Sequence, residues 1–187
     1  MLVFLFSIAL VALSTPALAE TPASVPADSV ARARHLLSGY EYVPGPEELR
    51  AIPDLDRVLE ILAGDPGAPG FVRARALSSF AAIPVADTAA HERAVRVLRA
   101  ALADESLPTQ LRRAAVKAHV ARLGPGALPD VEPLLAHPEL RLRDAAVEAL
   151  ARHVTRPAVR DALRTRLARE PEPALRERLS ELVRAAP

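Results

Sequence analysis

Apolar residues recur along most of this chain at the spacing of an amphipathic helix. In four segments an apolar residue is followed by Arg, and further apolar residues fall at offsets four, five and often eight. The segments begin at Val72-Arg73, Leu111-Arg112, Leu142-Arg143 and Leu175-Arg176, at steps of 39, 31 and 33 residues. Those offsets line one face of a 3.6-residue helix. A second set of anchors precedes them. The pairs Leu62-Ala63, Leu102-Ala103, Leu135-Ala136 and Leu167-Ala168 recur at steps of 40, 33 and 32. Two columns in phase predict a repeating unit of an outer helix, a short turn carrying Pro or Asp, and an inner helix. Neither helix can bury its stripe alone, so the units must stack on their neighbours. The small Ala115 and Ala146 at offset four are expected to be buried contact points between successive inner helices.

Upstream of the repeats the pattern changes. Residues 20–27 are rich in Pro, Ala and Ser without a period and read as a linker. Asp28 or Ser29 can cap a helix running to about Leu37 that Ser38-Gly39 ends. A loop with Tyr40 and Tyr42 follows. Pro46 suits the first turn of a short helix through Glu47, Glu48 and Leu49, and Pro53 marks the next boundary. Residues 28–53 thus form an N-terminal helical cap, and residues 54–187 hold about four stacked two-helix units. The predicted fold class is all-α, an α-solenoid.

These columns resemble HEAT repeats, two-helix units stacked into a curved rod. The closest correspondence runs from Asp130 to Leu150. It has Pro133 in the outer helix, the pair Leu134-Leu135, and the inner-helix start Leu142-Arg143-Asp144-Ala145-Ala146. The resemblance implies an Asp six residues before the Arg, pairing along the stack. That position holds His137 in the third unit and Glu170 in the fourth, while the first two units carry Asp65 and Asp104 eight residues ahead of their Arg. The resemblance covers roughly residues 54–187. It implies a protein-binding scaffold; related helical repeats include a lyase that attaches bilin pigments to a partner's Cys residues and a group that removes alkylated bases from DNA. A small accessory enzyme similar to the lyase group is the alternative reading.

The first nineteen residues have a different character. Leu2 to Leu13 is apolar apart from Ser7, Pro16 breaks it, and Ala17-Leu18-Ala19 fits small-x-small cleavage before Glu20. This reads as a secretory signal peptide, although no Lys or Arg precedes the apolar run. The run is shorter than the roughly 20 apolar residues needed to cross a bilayer. A retained anchor is the alternative. The expectation is an exported chain, periplasmic or extracellular, with no stable membrane insertion once the leader is removed. Export also counts against the DNA-repair group.

Composition narrows the chemistry. The formal net charge is +1 across 187 residues, which gives no sign of a nucleic-acid-binding surface. There is no Cys, and so no disulfide, thiolate nucleophile or Cys-based metal site. Among His35, His91, His119, His137 and His153 none shows i,i+4 pairing, so no metal or cofactor is expected. His119 takes the offset-eight place filled elsewhere by Phe80, Leu150 and Val183, as a core histidine bonded to a neighbouring turn or a titratable group beside a cleft. No G-x-S-x-G elbow is present, and no catalytic residue is expected. Gly124-Pro125-Gly126 separates two helices and is not a phosphate cradle. Glu47, Glu48, Asp54 and Asp56 sit where the helix dipole favours acids.

The remaining candidate surface is the inner-helix stripe at offsets two and six: Ala74/Ser78, Arg113/Lys117, Asp144/Glu148 and Glu177/Glu181. It points away from the apolar offsets, onto the concave side of a solenoid. Its sign runs neutral, positive, negative, negative. The expectation is a monomer that binds another protein, with Arg113, Lys117, Asp144, Glu148, Glu177 and Glu181 as the binding residues and the acidic end attracting a basic segment.

Overall fold

The computed structural model describes residues 24–39, 42 and 44–185. The expected signal peptide, and the linker up to Thr21 and beyond to residue 23, lie outside the described residues. The described residues are helical and contain no strand. The helices are α1 (Ala27–Ser38), α2 (Pro46–Arg50), α3 (Leu55–Gly64), α4 (Gly70–Ser79), α5 (Thr88–Ala103), α6 (Thr109–Leu123), α7 (Leu128–Leu135), α8 (Leu140–Ala151), α9 (Pro157–Leu167) and α10 (Pro173–Ala185). Short 3-10 turns at Phe80–Ala82 and Gly124–Ala127 follow α4 and α6.

The two anchor columns mark the helices. The Leu-Ala pairs close α3, α5, α7 and α9, and Val72, Leu111, Leu142 and Leu175 lie in the first turns of α4, α6, α8 and α10. All four of the latter are buried. From α3 onward each odd helix packs on the even helix after it, and α4, α6, α8 and α10 pack in succession, as do α3, α5, α7 and α9. Phe80, Leu59, Leu98, Leu142 and Leu163 fill the space between the two rows without solvent contact. Burying each such side chain stabilises the fold by about 1.5–3 kcal/mol. Ala115 and Ala146 are fully buried on α6 and α8, which pack against each other.

The N-terminal helix begins earlier than a cap at Asp28 or Ser29 would start it, at Ala27. Pro26 stands at the N-cap of α1 and no side chain caps it. Asp28 lies in the first turn, and Ser29 is buried instead of capping. At α2, Glu48 accepts the Gly45 N–H at 2.9 Å and the Tyr42 hydroxyl, as an N-terminal acid should. Asp54 occupies the N-cap of α3 with a left-handed φ of 51° and makes no cap bond, and Asp56 pairs with Arg93 of α5 at 2.7 Å.

One device recurs at every odd-to-even turn. Asp65 Oδ1 accepts the Gly67 N–H, Asp104 Oδ1 that of Ser106, His137 Nδ1 that of Glu139, and Glu170 Oε1 that of Glu172, at 2.8 to 3.0 Å. Three residue types perform one task, satisfying an N–H of the turn that leads into the next helix. The Arg of each even helix folds back on the same turn. Arg73 donates to Ala63 O, Arg112 to Leu102 O, Arg143 to His137 O and Pro138 O, and Arg176 to Glu170 O and Pro171 O.

Candidate functional site

The even helices present their offset-two and offset-six residues along one row. Ala74 departs from the expected solvent stripe and is buried. The reason is that α1 packs on α4 as well as on α3 and covers more of that helix. Ser78, Lys117, Glu177 and Glu181 are exposed, and Arg113, Asp144 and Glu148 are half-buried.

Ion pairs join neighbouring units across this row. Lys117 Nζ on α6 meets Glu148 on α8 at 2.8 Å. Arg178 on α10 meets Asp144 on α8 at 2.8 Å. The hydrogen bond from Lys117 holds the Glu148 carboxyl below its ordinary range against some burial, with Arg178 and Arg113 adding positive field. Arg113 has its Nε buried without a hydrogen-bond partner. Between α6 and α8, Lys117, Val120, Glu148, Arg152 and His153 line a cleft of about 250 Å³.

The structure therefore brings Arg113, Lys117, Asp144, Glu148 and Arg178 together. Glu177 and Glu181 stand apart on α10 and make no ion pair among the described residues. The acidic end narrows from two units to one, because Asp144 and Glu148 already hold cations of adjacent helices. Arg178 is the participant that periodicity did not flag, since it sits one residue beyond the stripe position of Glu177.

His119 is fully buried, with Nε2 2.8 Å from Asp130 Oδ2 in the first turns of α7. Because the carboxylate accepts, Nε2 carries the proton, and Nδ1 is left buried without a partner. Asp130 also takes both Nε and Nη2 of Arg99, each at 2.9 Å. Arg99 holds the Asp130 carboxyl below its ordinary range, helped by His119 and opposed by burial. This cluster ties α5, α6 and α7 together, from the buried His119 to the exposed Arg99. No group of three His, Cys, Asp or Glu among the described residues is arranged to hold a metal ion. No described helix is long and apolar enough to cross a membrane.

Compared with known proteins, the chain matches no family model and no curated protein.

Proposed function

We propose that the chain is an exported, non-enzymatic scaffold: an α-solenoid of four HEAT-like units behind a helical cap, binding a protein of the cell envelope on the face of α6, α8 and α10. The succession of odd helices on odd and even on even supports the stacked reading. The ion pairs between adjacent even helices support a common exposed face. The leader-like residues 1–19 support export.

One observation carries the functional reading. Glu177 and Glu181 lie one turn apart on α10, exposed and without an ion pair among the described residues, where the same offsets on α8 hold acids already matched by Lys117 and Arg178. A basic segment of a partner would complete there the pairing that the acids of α8 complete with their neighbours. Such contacts raise association rate and fix register, and salt weakens them.

The test is capture of partners from envelope extract with the full chain, followed by reversal of Glu177 and Glu181 to Lys. Loss of one specific partner, with retained melting behaviour, is the expected result. Unchanged affinity and salt dependence after the double reversal would remove this face as the binding surface. Mass spectrometry of the exported protein should give Glu20 as its first residue.

A further inference from the structure

A different edge of the molecule carries a site. Along the stack, the Arg of one unit reaches the turn residue of the next. Arg143 donates through Nε and Nη2 to both oxygens of Glu170, at 3.2 and 3.0 Å, in a position closed to solvent. Arg34 of α1 meets Asp65 at 2.7 Å. Arg112 approaches His137 Nε2 at 3.4 Å. The corresponding contact between the first and second units is Arg73 with Asp104, and it does not form. Arg73 spends its Nε on Ala63 O at 3.0 Å and makes no ion pair.

Arg73 and Asp104 instead line one cleft of about 400 Å³ between α3, α4, α5 and α6. Ligand pockets start at roughly 300 Å³. Its apolar wall includes Leu77, Val97, Leu107 and Leu111. The acids at its rim are engaged: Glu60 bonds Arg93 at 3.3 Å, and Asp104 Oδ1 takes both the N–H and the hydroxyl of Ser106. The cations are not. Neither Arg73 nor the exposed Arg96, which shares the cleft, makes an ion pair among the described residues. Two guanidinium groups without an ion pair thus stand beside an apolar wall, with the Asp104 carboxylate turned onto Ser106.

We propose that this cleft binds a short apolar carboxylate, whose carboxyl group is held by the terminal nitrogens of Arg73 that the Nε bond to Ala63 O leaves over, and whose hydrocarbon body lies on Leu77, Val97, Leu107 and Leu111. The planar guanidinium accepts a carboxylate two-pronged, a geometry an ammonium lacks. A fatty acid and the C-terminal residue of a peptide share this chemistry. The site is independent of the α10 acids and of any partner there.

Calorimetric titration of the full chain with octanoate and with N-acetyl-leucine separates the two sources. Saturable binding of either, with octylammonium failing to bind, is the expected result, and the tighter of the two names the source. Arg73→Gln should weaken binding about tenfold or more, the worth of charge-assisted hydrogen bonds. Asp104→Glu supplies a second variant: its longer arm should occupy Arg73 from within and weaken binding while the melting temperature holds or rises. Absence of saturable binding by both acids at millimolar concentration overturns the proposal. So does equal affinity in the wild type and Arg73→Gln, which would place any bound acid elsewhere.

Discussion

The joints at the two ends of the stack use the same parts and reach different ends. Between the third and fourth units, Glu170 serves its own turn through the Glu172 N–H, accepts Arg143 at 3.2 and 3.0 Å, and takes Arg166 at 2.7 Å, its own side chain closed to solvent. Between the first and second, Asp104 serves its own turn and leaves Arg73 unpaired across an open cleft. The acids differ by one methylene. Length alone does not decide it, because the equally short Asp65 takes both the Gly67 N–H and Arg34. At the open joint Asp104 is turned onto Ser106 and Arg73 onto Ala63 O, so an inter-unit pair is set by what else holds each partner as much as by the presence of the Arg.

The sharpest contrast comes from deleting each Arg. Arg143→Ala strips a solvent-free carboxylate of two bonds and leaves it to Arg166 and the Glu172 N–H, and should destabilise the protein by about 3 kcal/mol. Arg73→Ala loses one bond to a carbonyl and should cost about 1 kcal/mol. Chemical denaturation of both variants measures the difference, and equal losses would erase the distinction between the joints. Next in size, Ala115→Leu and Ala146→Leu overpack the α6–α8 seam midway between these joints and should each cost about 1–3 kcal/mol in the same assay. Unchanged melting of both would mean the seam is loose.

Acid should act on one joint more than the other. Burial pushes the Glu170 carboxyl up, but Arg143, the Glu172 N–H and Arg166 outweigh it, so its folded pKa lies below the ordinary 4.5. A lowered folded pKa contributes stability that is complete above the unfolded value. That stability drains away as pH falls below about 4.5 and is gone once the folded pKa is passed. Glu170→Gln should therefore melt below wild type at neutral pH and converge with it in acid. A constant gap across the titration would show that the charge of Glu170 is not the source. The smallest effect is expected from Asp104→Glu, which lengthens the acid at the open joint; closing a half-exposed pair should add about 0–1 kcal/mol.

Much of this architecture was readable from periodicity, because helix amphipathicity is a local property. Val72, Leu111, Leu142 and Leu175 announce the first turns of four helices, and all are buried. What was hidden depends on neighbours. Ala74 occupies a solvent offset and is buried because α1 lies across α4. Asp144 and Glu148 look like a free acidic patch until Arg178 and Lys117 arrive from adjacent helices. Ser29 has the chemistry of a cap, but the preceding Pro26 starts the helix early and turns it inward. His119 stood out by interrupting an apolar column, and Asp130, eleven residues away, explains it. The opening beside Arg73 left no trace in spacing, since it is the failure of a pair whose two members are both present.

The longest-range of the side-chain bonds described between helical units has a consequence for how the chain comes into being. Arg93 of α5 reaches back 37 residues to Asp56, and Lys117 reaches forward 31 to Glu148. No unit waits for a distant stretch of sequence before it finds its bonding partners. Contacts this local favour rapid folding, since little loop-closure entropy precedes each gain. A chain emerging N-terminus first, from a ribosome or a translocation pore, can settle each unit onto the last while the rest is still to come. The molecule is built for assembly in the order in which it is delivered.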